Sequence, residues 1–163
     1  MKLFALTPQL FWVTLLLLSS CDTDCDKNTN AEQQQMETIK KIISTPNAPA
    51  AIGPYSQAVL AGNTLYCSGQ IALNPSDGTL VTGNIIDETT QVLKNVGAVL
   101  NEANMDYSDV VKATIFLASM DDYAEVNSVY AKYFSKNPPA REAVAVKTLP
   151  KNVHVEISVI AVK

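Results

Sequence analysis

From residue 39 onward the hydrophobic positions follow two spacings, alternation by two and recurrence at three and four, and the changes between them mark out the elements. The run IKKII at 39 to 43 predicts a short strand. The segment STPNAPAAIGPY after it carries three prolines and a glycine, which enforce an irregular loop. QAVLA and TLYCSGQIA then flank Gly62 and Asn63, a dipeptide that tolerates positive φ, so the pair predicts a hairpin. NPSDGT is a further turn. In DETTQVLKNVGAVLNEA, Val92, Leu93, Val96, Val99, Leu100 and Ala103 recur at helical spacing, with Asp87 and Glu88 suited to the helix start. VVKATIFLA at 110 to 118 predicts a strand. DDYAEVNSVYAKYF sets Tyr123, Val126, Tyr130, Tyr133 and Phe134 on a second helical stripe, which Pro138 and Pro139 end. REAVAVKTL and VHVEISVIAV are valine-rich strands joined by a turn at Pro150, Lys151 and Asn152. Three strands, helix, strand, helix and two strands predict an α+β domain over 39–163, a mixed six-stranded sheet with two helices on one face.

The first 38 residues follow neither pattern. Residues 1–20 hold one early lysine, Lys2, then an apolar run from Leu10 to Leu18 broken only by Thr14. Nine helical residues rise only about 13–14 Å, too little for a hydrocarbon core of about 30 Å, so the run predicts a signal peptide. Its ending, Leu18-Ser19-Ser20-Cys21, resembles a bacterial lipobox. That resemblance implies lipid attachment at Cys21 and a membrane-anchored lipoprotein of the cell envelope, on a periplasmic or surface face. Residues 21–38 are polar and rich in Asn and Gln, the composition of a flexible tether. The other cysteines, Cys25 and Cys67, fit no zinc spacing or disulfide framework.

A formal charge of −4 over 163 residues supplies no basic stripe for phosphates, which argues against a nucleic-acid partner. His154 is the only histidine, so no metal-ligand set is expected, and it reads as a satisfied strand residue. Arg141 is the only arginine, beside eleven lysines. A guanidinium offers parallel N–H donors matched to a carboxylate, where lysine offers a point charge; a structural ion pair at a subunit interface is the alternative. Glu156 lies within a valine-rich strand, where a charge costs free energy unless paired or solvated.

Four blocks in order, APAAIGPYSQA, YCSGQIALNP, PPAREAVAV and LPKNVHVEISVIAV, resemble the reactive-intermediate deaminase family, RidA/YjgF, from about Ile39 to Lys163. The resemblance implies a chorismate-mutase-like fold, a homotrimer with its sheets in a central barrel, and sites in clefts between subunits. It implies hydrolysis of 2-imino acids of the 2-iminobutanoate and 2-iminopropanoate type, and their enamine tautomers, to 2-oxo acids and ammonia without metal or organic cofactor. Carried over residue by residue, Arg141 takes the substrate carboxylate and Glu156 orients or deprotonates the attacking water. Tyr55, lining the cleft, is the third catalytic residue so implied, and Ser68, Gly69 and Asn127 contact substrate. Glu142, Ala143 and Ser158 depart from common family residues, which bears on substrate preference. The competing reading is a non-catalytic trimeric binding module for small carboxylates. A ribonuclease comes third, disfavoured by the charge.

Overall fold

The computed structural model describes residues 40–163; the expected signal peptide, the lipid-attachment residue Cys21 and the tether to residue 38 lie outside the described residues. Six strands, β1 (Lys40–Ile43), β2 (Ala58–Ala61), β3 (Thr64–Cys67), β4 (Val110–Leu117), β5 (Ala140–Ala145) and β6 (Val155–Val162), form one sheet in the order β1-β2-β3-β6-β4-β5. Neighbours run antiparallel except β4 and β5, which are parallel and joined through α2 (Tyr123–Tyr133). A parallel pair needs such a crossover, because its connection must return to the sheet's starting end.

The other helix, α1 (Ile85–Glu102), buries Val92, Leu93, Val96, Val99 and Leu100, the stripe read from the sequence. These residues join Val126, Val129 and Tyr130 of α2 in one core with Ile115, Leu117, Val155, Ile157 and Val159 of the sheet. Full burial of each large aliphatic side chain contributes roughly 1.5–3 kcal/mol, so this one-sided core is the main source of cohesion. Alternation along the strands sends the intervening side chains to the opposite face, where Ile42, Tyr66 and Val144 are exposed.

Several boundaries differ from those expected. Helix α1 begins before Asp87: Asn84 is its N-cap, with Oδ1 accepting the Asp87 N–H at 2.9 Å. Apolar spacing does not register a capping turn. The hairpin places positive φ at Gly62 alone of the two turn residues. The turn after β5 holds Lys151 and Asn152 at φ of 56°, unusual for residues with a Cβ. Strand β3 stops at Cys67 instead of running to Ala72; Ser68 and Gly69 leave the ladder, and pairing returns as a single bridge from Gln70 to Ile157. That gap is where the site begins.

Candidate active site

Glu156 stands on β6 directly behind the interruption in β3. A Cβ on Gly69 would fall 1.8 Å from Glu156 Oε1, so only glycine lets the carboxylate lie across the backbone there. The Ser68 and Gln70 N–H groups donate to the Gln57 and Ile157 carbonyls, while the Gly69 N–H between them has no partner among the described residues. Glu156 faces a cavity of about 390 Å³ lined by Ile52, Tyr55, Ser68, Gly69, Ile71 and Leu73, among others. Burial among these apolar walls raises the Glu156 carboxyl above the ordinary carboxylate range. A carboxylate of raised pKa is a stronger base than an exposed one, which suits it to accept a proton from water.

The cavity's mouth is formed by the proline loop, and Gln57 is what shapes it. Gln57 Oε1 accepts the Thr45 N–H at 2.6 Å, and Nε2 donates to the carbonyls of Thr45, Ala48 and Pro49 at 2.8–3.1 Å. The loop so held carries half-exposed Tyr55 to the cavity, its hydroxyl accepting the Ile52 N–H at 3.4 Å. The Ser68 hydroxyl is spent differently from the expected substrate contact: it donates to the Ser56 carbonyl at 2.6 Å, so toward a ligand it has only lone pairs left.

Arg141 and Asn127 form a separate group. Arg141 Nη1 donates to Asn127 Oδ1 at 2.8 Å, and both line a shallow recess with Tyr130, Phe134 and Pro138. Register explains the separation. Arg141 pairs with Ala113, which is buried beneath the helices, whereas Glu156 pairs with Phe116, three residues on in the same strand and on the other face. Arg141 and Glu156 therefore lie on opposite faces of the sheet, and one chain alone does not bring them together.

The departures at positions 142, 143 and 158 become specific. Glu142 turns away from Arg141, accepting from Thr114 Oγ1 at 2.9 Å and pairing with Lys112 at 3.3 Å. The Thr114 hydrogen bond, then Lys112, hold its carboxyl below the ordinary range, and it is this placement against Thr114 and Lys112 that keeps it off the guanidinium. Ala143 packs at the edge of the core, and Ser158 lines a small recess with Lys112 and Thr114 on the open face. Burial pushes the Cys67 thiol up to about 12, leaving it inert. Among the described residues no group of three His, Cys, Asp or Glu side chains converges as a metal set.

His154 is satisfied as expected but sits one residue before β6 and not within the strand, and the identity of its partner was hidden in the sequence. Fully buried Glu88 accepts the His154 N–H at 2.6 Å and the Val155 N–H at 3.3 Å, with His154 Nδ1 2.8 Å from Oε2. This carboxylate ties the first turn of α1 to the entry of β6, two residues before Glu156. Tyr130, buried, and Tyr123, on the same helical stripe but exposed, both border Arg141, and no periodicity distinguishes that use from packing.

The family model described as Endoribonuclease L-PSP matches residues 45–163. The chain is similar to the 2-iminobutanoate/2-iminopropanoate deaminase of Mus musculus, 51% identical over 77% of this chain and 93% of the relative. It is similar in structure to a protein of the conserved Rid family from Yersinia pestis, 49% identical with a TM-score of 0.74, covering 77% of this chain and 100% of that one. Escherichia coli TdcF with bound serine is 39% identical with a TM-score of 0.73, covering 76% and 98%.

Proposed function

This chain belongs to the RidA/YjgF family, the one described as Endoribonuclease L-PSP, and from that membership we propose that it is a deaminase hydrolysing 2-imino acids to 2-oxo acids and ammonia. The observation that carries the reading is Glu156, a half-buried carboxylate of raised pKa held over Gly69 at an apolar cavity. In the reaction the Arg141 guanidinium takes the substrate carboxylate and fixes C2 of the imine. Glu156 removes a proton from water as its oxygen bonds to C2, giving a tetrahedral carbinolamine. That proton passes to the nitrogen; the hydroxyl proton of the carbinolamine then follows it by way of Glu156 as the C–N bond breaks and the C2–oxygen bond becomes the carbonyl, and 2-oxo acid and ammonia leave. Atoms balance with one water and no electron transfer. The 51% identical mouse relative, named a 2-iminobutanoate/2-iminopropanoate deaminase, supports this substrate class. A module that only binds carboxylates would account for Arg141 but gives no use to a half-buried Glu156 of raised pKa.

In this reading the complete site forms between subunits of a homotrimer. Two features support it: Arg141 lies on edge strand β5 across the sheet from Glu156, and the sheet face without helices exposes Ile42, Tyr66 and Val144, apolar surface that suits burial against a second copy. Tyr55 and the Gly69 N–H then complete the substrate's surroundings on the Glu156 side, and Asn127 on the Arg141 side.

The test is an imine made in place by oxidation of 2-aminobutanoate, with 2-oxo acid release followed in time. The protein is expected to accelerate release over buffer, with an acid limb in kcat. Because burial raises the Glu156 pKa, the base is lost as pH falls through a value above the roughly 4.3 of a free glutamate. Release no faster than in buffer would remove the deaminase reading.

The lipobox-like ending at Cys21 supports a further proposal, that the chain is anchored in the cell envelope by a lipid on this thiol. Fatty-acid labelling is expected to mark the wild type and not Cys21→Ser; equal labelling of the two would exclude the anchor.

A further inference from the structure

Arg141 lies on an edge strand, where a long flexible side chain has strand neighbours on one side only. Helix α2 supplies what the edge does not. Tyr123, Asn127 and Tyr130 follow one another at four- and three-residue spacing, so they share one face, and that face meets the guanidinium. Arg141 Nη1 donates to Asn127 Oδ1 at 2.8 Å, and Nη2 donates to the Tyr123 hydroxyl oxygen at 3.0 Å. The Tyr130 ring lies 4.7 Å from the guanidinium carbon, with the Tyr123 ring at 5.8 Å. Tyr130 is itself held by stacking on Phe134, centroids 4.3 Å apart.

Each of these restraints removes a different freedom. One hydrogen bond at Nη1 leaves the planar group able to pivot about that point, whereas a second at Nη2 fixes its direction, and a ring beneath fixes its tilt. The two bonds use two of the five N–H donors of a guanidinium and leave the Nε–H and one hydrogen on each Nη for a ligand. A carboxylate binding to an arginine already oriented loses less side-chain freedom on binding.

We propose that Tyr123 is a positioning residue for the carboxylate anchor, its hydroxyl orienting the Arg141 guanidinium together with Asn127 and Tyr130. This rests on the reading of Arg141 as the group that takes the substrate carboxylate. Tyr123 is 37% exposed, so Tyr123→Phe removes the hydroxyl without opening the core.

The experiment is a double-mutant cycle on the full chain, with kcat and KM measured on the imine of 2-aminobutanoate and Kd for 2-oxobutanoate measured by calorimetry. Loss of an orienting hydrogen bond that does not itself touch the ligand, taken at the ordinary net strength, predicts that Tyr123→Phe raises KM and Kd about three- to tenfold and leaves kcat within about twofold. In an Arg141→Lys background, which lacks the planar fork to be oriented, Tyr123→Phe is expected to change the residual kcat/KM by less than about 1.5-fold. Equal losses in both backgrounds would mean that Tyr123 acts on the fold and not through Arg141, and unchanged KM and Kd in the single variant would overturn the proposal outright. The calorimetric arm separates the two readings: a protein that binds 2-oxobutanoate without hydrolysing imine still tests the clamp, and one that binds nothing overturns the anchor and the clamp with it.

Discussion

Glu156→Gln is expected to slow imine hydrolysis by about a hundredfold in kcat, while a 2-oxo acid binds within about twofold of wild type. Glutamine keeps the volume and the planar head that Gly69 accommodates, and the Gln70–Ile157 bridge that holds the strand beside it is backbone and remains. What disappears is the proton acceptor. Stability is expected to move the other way. Burial raises the Glu156 pKa in the folded protein, so ionising it disfavours the fold as pH rises through the free-glutamate value, and a neutral amide escapes that cost. At neutral pH the variant should therefore melt no lower than wild type. A full loss of activity accompanied by a lower melting temperature would assign Glu156 to structure, and unchanged kcat would leave the water without its base.

Arg141→Ala is expected to lower kcat/KM roughly 10- to 100-fold, the loss of a charged, hydrogen-bonded carboxylate contact. The more informative result comes from mixing. Arg141 and Glu156 sit on opposite faces of one sheet, paired with Ala113 and Phe116 respectively. If each site takes its arginine from one subunit and its glutamate from the next, Arg141→Ala and Glu156→Gln chains complement each other. Co-refolded in equal amounts into cyclic trimers, they should regain about a quarter of wild-type activity, because one interface in four joins an intact arginine to an intact glutamate. Activity no greater than the sum of the two separate variants would exclude the shared site.

Much of this protein was legible in its sequence because the relevant physics is local. Alternation in VHVEISVIAV and three- and four-residue spacing in α1 follow from strand and helix geometry, so those elements and their buried faces could be read before any packing was known; in α2 the spacing found Val126 and Tyr130 but took in exposed Tyr123 and passed over buried Val129. Arg141 and Glu156 stood out for the same reason, one being the lone guanidinium and the other a charge within an apolar strand, while the roles expected of them came from the family resemblance. Tertiary structure alone decided how these groups meet others. The β4 register put Arg141 and Glu156 on opposite faces, the halt of β3 at Cys67 opened room over Gly69, and packing chose His154 as the partner of Glu88 and Arg141 as the partner of Tyr123. Each of these depends on which distant segments lie side by side. A residue's own neighbours in sequence carry its periodicity and its cost of burial, but they do not carry the identity of a partner 18 or 66 positions away.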